Sequence, residues 1–425
     1  DLPIIYKEEE VAENLRSVAD GFLINNREIY TRCDDSLLWE YEGREYFARR
    51  SRGYVPLPVR VNGLKRNILA CGAEQKASFS VSRDGLVFPS AHIGDLKNME
   101  TLSCFEEQVE HFERIFDIKP ELLVCDMHPD YLSSEYARRR AKRENIPLRA
   151  VYHHHAHMAS CMADNGIEEK CIGIVWDGTG YGMDGTSWGA EILYGDFKEF
   201  ERVGTAREIT LPGGDRATRE ISRIGISLLL DSGVSPEEIF GESAGRIKNL
   251  IGSNINCPRV SSMGRLFDGV SAILGIRETA SFEGQAAMLL EAAADESEKV
   301  YPYEIENRDG VYVFDFRPMI RKISEDVKNK VSTSDIAAAF MNTLIKSAVE
   351  MAVKISEEKK CKNVVLSGGS FQNMYILKKI VPALRERGLT AYTHRQVSTN
   401  DEGISLGQLM IAERGGGEDV SCSAT

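Results

Sequence analysis

Two stretches of this sequence share one pattern, and a chain that carries it twice has few folds open to it. "CIGIVWDG" and "SWGAEILYGDF" flank the glycine-rich "TGYGMDGT", which predicts a β-hairpin over residues 171–197. "NILACGAEQKASFSVSRDGLVFPS", residues 67–90, predicts a second hairpin with "RDG" as its tight turn. Each leads into further strands and helical patterns. "ELLVCD" (121–126) and "LRAVY" (148–152) follow the hairpin at 67–90 and read as buried strands. Beyond the hairpin at 171–197, residues 215–299 are mainly helical in period and "GVYVFDF" (310–316) is a strand. A long helix starts at a cap on Ser332 or Thr333, and "NVVLSGG" (363–369) is a strand feeding the helix "FQNMYILKKIVPALRERG". Strands alternating with helices predict an α/β fold, and the paired hairpins predict a duplicated lobe.

Length and charge narrow the function. At 425 residues the chain exceeds one ordinary core, so two or three lobes are expected. A net charge of -13 argues against nucleic acid as the main partner, because that affinity rests on neutralising phosphates. No uninterrupted apolar run reaches the roughly 18 residues of a membrane span, and the start "DLPIIYKEEEVAEN" is acidic, so no membrane partner and a cytoplasmic location are expected. The nine cysteines form no CxxC pair and read as reduced, mostly buried thiols. Residues 1–58, with the basic "FARRSRGYVP", read as the end of another domain plus a linker, and the acidic, glycine-rich tail "ERGGGEDVSCSAT" (413–425) reads as frayed, with 416–425 flexible.

"VYHHHAHMAS", residues 151–160, places four of the chain's eight histidines in five consecutive positions. On a helix, positions i and i+4 share a face, so His153 and His157 can reach one metal ion while His154 and His155 turn elsewhere. The alternative is a capping or surface cluster without metal. Peptidase chemistry of the HExxH kind is disfavoured, since histidine and alanine occupy the interior of this HxxxH. Two imidazoles leave coordination to fill. Asp177 in "VWDGTGYG" and Asp401 in "STNDEGISLG" sit at glycine-rich strand ends where a carboxylate can face a ligand, although either also fits a turn or cap.

"DGTGYGMDGT" (177–186) and "LSGGSFQN" (366–373) set glycine after a strand, where free N–H groups can surround phosphate. Neither is a Walker loop or a GxGxxG fingerprint, and a hairpin turn plus a helix entry would explain them equally. With "LPGGD" (211–215) and "SFEGQAA" (281–287) added, a nucleotide site is the more economical account.

These motifs, together with "AHIGDLKNMET", "CDMHPDYLSSEYA", "SSMGRLFDGVSAILGI" and "NDEGISLGQ", resemble in order those of the HypF family of hydrogenase maturation carbamoyltransferases, over about residues 20–412. The resemblance implies a duplicated actin/sugar-kinase-like, TsaD-like fold over 59–415, preceded in 1–58 by the tail of a YrdC-like α/β domain. The acylphosphatase-like and CxxC modules that precede this region in the family are not visible, which leaves the final transfer step as the one expected here. The family reaction forms carbamoyl-adenylate from carbamoyl phosphate and ATP and passes the carbamoyl group to the C-terminal cysteine of the partner HypE, the source of the cyanide ligand of [NiFe]-hydrogenase. The resemblance also implies a divalent ion, Fe(II), Zn(II) or Mn(II), on His153, His157 and Asp401 with Asp177 as fourth ligand. It implies nucleotide contacts, to ATP or AMP, at Gly178, Thr179, Gly180, Asp268, Gly284, Ser367, Gly368, Gly369 and Asn373. Alternatives are an O-carbamoyltransferase, a TsaD-like tRNA threonylcarbamoyl transferase, which the acidic charge disfavours, and a non-catalytic scaffold, which turnover with carbamoyl-adenylate would separate from an enzyme.

Overall fold

A computed structural model of the chain describes residues 5–420. Both expected hairpins form, and each seeds its own sheet. In the first sheet Leu86–Pro89, Ser80–Arg83 and Ile68–Ala70 run antiparallel as a meander, and Leu122–Asp126 then Leu148–Val151 continue from Ile68–Ala70 in parallel. In the second, Phe200–Ala206, Ser187–Gly195 and Cys171–Tyr181 make the meander, and Asn363–Ser367 then Thr390–Tyr392 continue in parallel. The two sheets therefore share one strand order, which is the duplication that the sequence pattern predicts.

The lobes are clasped by the helix that follows each sheet. His153–Asn165, which leaves the last parallel strand of the first sheet, packs on Cys171–Tyr181 and Asn363–Ser367 of the second. Ile404–Glu413 packs back on Ile68–Ala70 and Leu122–Asp126 of the first. Ala156, Ala159, Met162, Leu406, Leu409 and Met410 share one buried apolar cluster with residues of both sheets. The helices meet closely: a Cβ on Gly407 would lie 1.9 Å from the Ala156 carbonyl oxygen, so only glycine fits.

Two elements differ from the sequence reading. The helical stretch 215–299 contains a short strand, Arg259–Ser262, which pairs with Ser187–Gly195 and ends in the cap of the helix Met263–Ile273. Part of the tail expected to be flexible is built into the fold instead. Glu418–Val420 adds an edge strand to Leu148–Val151, fixed by the Arg149–Asp419 ion pair at 2.9 Å, while residues 421–425 lie outside the described residues. The expected long helix forms as Thr333–Lys359, and although it is long and apolar enough by composition to cross a membrane, 83% of its apolar window is buried, so it serves as a core helix. Ser332 caps it as expected, accepting from the Asp335 amide.

Within residues 1–58, the hairpin Leu37–Tyr41 with Arg44–Arg49 docks against the second lobe. Buried Tyr46 donates its hydroxyl to the Phe371 carbonyl at 3.0 Å. The Ala48 carbonyl accepts from Gln372, Ser398 and Asn400, each at 3.1 Å, and the Arg50 amide donates to Glu402 at 3.1 Å. This hairpin thus braces the loop that carries Asp401. Among the described residues the eight cysteines are free thiols, and all but Cys33 are buried.

Candidate metal and nucleotide site

In open α/β sheets ligands collect outside the carboxyl ends of parallel strands, and here both sheets send such ends to one place. Leu122–Asp126 ends on Asp126, Leu148–Val151 runs into the helix that starts at His153, and Asn363–Ser367 ends on Ser367. Asp177 comes from the long strand Cys171–Tyr181, and Asp401 from the turn before Ile404–Glu413.

His153, His157, Asp177 and Asp401 are all buried and present ligand atoms within 4.8 Å of one another. His153 Nε2 lies 3.5 Å from Asp177 Oδ2 and 3.8 Å from Asp401 Oδ1, and His157 Nε2 lies 3.8 and 3.5 Å from the same atoms. Donors that share one tetrahedral ion sit roughly 3.4 Å apart. Both Nε2 atoms are buried without a hydrogen-bond partner, a cost that a cation between them would relieve. The donor set therefore fits a divalent metal.

The outer nitrogens fix the rings. His153 Nδ1 donates to Asp126 Oδ2 at 2.8 Å, which turns Nε2 inward. On the other ring, His157 Nδ1 faces Ser367 Oγ at 3.5 Å, and that hydroxyl lies 2.9 Å from His394 Nε2. Burial, reinforced by His157, pushes His394 down to about 3, so it stays neutral beside the serine hydroxyl. Gly369 donates its amide to Asp177 Oδ1 at 3.1 Å and leaves Oδ2 to the histidines.

Protonation separates the four histidines. Burial opposes charging His153, but Asp126, Asp177 and Asp401 outweigh it and hold the ring well above the usual histidine range. His157 is raised in the same way, against burial, by Asp177 and Asp401. Asp177 is held well below the carboxylate range by the two histidines despite its burial. His154, beside them, is driven well below its ordinary value by burial and then by His153. His155, pushed down to about 4 by burial, donates Nε2 to the Asp196 carbonyl at 2.7 Å. Negative field thus converges on the i, i+4 pair alone.

The residues expected to meet nucleotide divide into open and closed positions. Gly178, Gly284 and Gly369 are partly open and Thr179 is exposed. Gly178 is held by Ser262 Oγ, which donates to its carbonyl at 2.6 Å, and Thr179 Oγ1 meets Ser187 Oγ at 2.6 Å. Gly284, with φ of 77°, starts the helix Gln285–Ala293. Asp268 is buried against Arg265 at 3.1 Å, and burial raises its pKa. Asn373 caps the helix Met374–Glu386 by accepting from the Ile376 amide at 2.9 Å. Gly180, Ser367 and Gly368 are closed. A Cβ on Gly180 would lie 2.5 Å from the His153 ring, and one on Gly368 would lie 2.2 Å from the Trp176 carbonyl oxygen. Those two are glycine because side chain and backbone pack there, and Ser367 serves the histidine pair.

Asp126, Ser367 and His394 as histidine supports were not foreseen. The signal for Asp126 was present, an aspartate closing an apolar strand that lies in register with Val151, two residues before His153. His394 had none, because only the fold brings it to Ser367. Tyr131 also escaped notice: its hydroxyl is shifted far above the tyrosine range by burial and then by Asp126, Asp401 and Asp177.

Comparison with known proteins agrees with this arrangement. The model of the carbamoyltransferase Kae1-like domain, second subdomain, matches residues 173–408, and that of the HypF Kae1-like domain matches 63–164. The chain is 34% identical to carbamoyltransferase HypF of Synechocystis sp. over 423 residues, covering 93% of this chain but 54% of that protein. A HypF homolog of Cupriavidus necator is 35% identical, with 82% of this chain and 91% of that protein covered. A full-length HypF solved in a phosphate- and nucleotide-bound form superposes with a TM-score of 0.92 at 42% identity, over 97% of this chain and 66% of that one. HypF from T. kodakarensis gives 0.87 at 31% identity, over 97% and 55%. The chain spans about half the length of the Synechocystis relative. With one strand order used twice, a four-donor site between the lobes and these matches over both halves, the chain belongs to the HypF family of carbamoyltransferases.

Proposed function

We propose that this chain carries the transfer step of S-carbamoylation, moving the carbamoyl group of carbamoyl-adenylate to the C-terminal cysteine thiol of a HypE-like partner in the cytoplasm. The observation that carries the reading is the convergence of His153, His157, Asp177 and Asp401 on one buried point beside the open glycines Gly178 and Gly369. A divalent ion there, Fe(II) or Zn(II), would polarise the carbamoyl carbonyl and neutralise the departing phosphate. The chain's residues do the rest. His153 and His157 would hold the ion through rings fixed by Asp126 and Ser367, and Gly369 sets the angle of the Asp177 carboxylate. Gly178, Thr179, Gly284 and Asp268 border the space for the nucleotide. Burial of the donor set keeps water from the anhydride. No cysteine of this chain need act, because the partner supplies the thiolate.

Carbamoyl phosphate and ATP enter this reading as substrates of a preceding step, with residues 1–58 as the end of the domain that performs it and 59–415 as the transferase unit. Mass spectrometry of the partner tests it. With preformed carbamoyl-adenylate and metal, this chain adds one carbamoyl increment to the terminal cysteine, and with carbamoyl phosphate plus ATP it adds none. Absence of the increment from folded, metal-loaded protein would favour the scaffold alternative.

A further inference from the structure

Lys76 has no part in the donor set, yet it faces it. It lies in the segment between Ile68–Ala70 and Ser80–Arg83 with φ of 45°, a left-handed conformation that a lysine adopts at a cost and that marks an imposed position. Hydrogen bonds of 2.9 Å on either side of its neighbour, Ala77 to Gly94 and Ile93 to Ala77, hold the segment. Its ammonium reaches across the two lobes to Glu283 Oε2 at 2.8 Å, from the 63–164 match to the 173–408 match. Glu283 Oε1 in turn lies 3.6 Å from where a Cβ would stand on Gly178, the residue after Asp177. Burial works against the charge on Lys76, but Glu283, Asp401 and Asp177 together keep it protonated.

Resting on the reading that a nucleotide binds at Gly178, we propose that Lys76 binds the nucleotide's phosphate and that Glu283 occupies its ammonium only until that phosphate arrives. The ion pair is partly exposed, at 32% and 41% of the two side chains, so an incoming dianion can exchange with the carboxylate. A phosphate at Gly178 would also repel Glu283, which drives the exchange. In the transfer, the partner's sulfur bonds to the carbamoyl carbon and the bond from that carbon to the phosphate oxygen breaks. The electron pair leaves on AMP. Lys76 stays protonated throughout and balances the charge gained by the departing phosphate.

The proposal makes the two partners of one ion pair behave oppositely. Calorimetry with AMP and with adenosine, on the full chain, reads this out. Lys76→Met should weaken AMP about tenfold or more while leaving adenosine unchanged, and Lys76→Arg should keep most of the affinity. Glu283→Gln, which removes the competitor, should tighten AMP several-fold. Neither substitution creates new backbone strain, since methionine and arginine meet the same φ as lysine. Unchanged AMP affinity in Lys76→Met, an equal loss for adenosine, or a Glu283→Gln variant weakened like Lys76→Met would overturn the assignment while wild-type AMP binding preserved the nucleotide site. Wild-type protein that binds neither compound would overturn both.

Discussion

The i, i+4 pair is where single residues decide the chemistry. His153→Ala or His157→Ala should abolish tight metal binding, read by elemental analysis of the dialysed protein. His154→Ala, whose ring is turned from the donor atoms, should retain it. Asp126→Asn keeps the helix but weakens the support of His153, and an affinity loss of about 10–100-fold is expected. A full metal complement in the His153/His157 double variant would refute the ligand assignment. Glu402, next to Asp401, offers an independent test by pH. Burial raises it from 4.5 to about 8, against the bond it accepts from the Arg50 amide. A carboxyl raised in the folded state adds stability below its unfolded value, and that contribution is lost as pH rises through the folded one. Between pH 4.5 and about 8 the loss is at most about 1.4 kcal/mol per pH unit, and Glu402→Gln should flatten this slope in urea titrations. An unchanged slope would show that Glu402 is ionised in the fold.

At the scale of elements, the clasp between His153–Asn165 and Ile404–Glu413 sets the position of both ligand-bearing ends. Gly407→Ala drives a methyl into the Ala156 carbonyl and must push the helices apart, at a cost of about 1–3 kcal/mol or more. Denaturant midpoints should fall, and metal affinity should fall with them, because His157 and Asp401 separate. A variant as stable as wild type would mean the clasp is looser than described. Much of this level was legible in sequence. Alternation and glycine turns exposed both hairpins, and Ser332 announced its helix. What escaped depends on distant partners. Glu418–Val420 looks like a tail by composition and becomes a strand only because Leu148–Val151 leaves an edge open. Gly180 and Gly368 carry the glycine signature of a phosphate loop, but contacts with His153 and Trp176 are what demand it.

For the whole molecule, the duplicated sheet explains why the donors come from both lobes. Each lobe contributes one donor-bearing helix entry, and the four donors meet where the two strand sets end, so the cluster exists only when the lobes are clasped. The four candidate donors were legible in sequence because their motifs are local, while the Lys76–Glu283 span across the lobes was invisible until the fold joined them. The most direct measurement is carbamoyl transfer from preformed carbamoyl-adenylate to the partner's terminal cysteine, followed by mass spectrometry as metal is titrated into metal-stripped chain. Transfer that rises with metal and saturates at about one ion per chain, and that is absent from the His153/His157 double variant, is the result expected. Full transfer by the stripped chain, or by the double variant, would contradict the assignment of these four residues as the centre of the reaction.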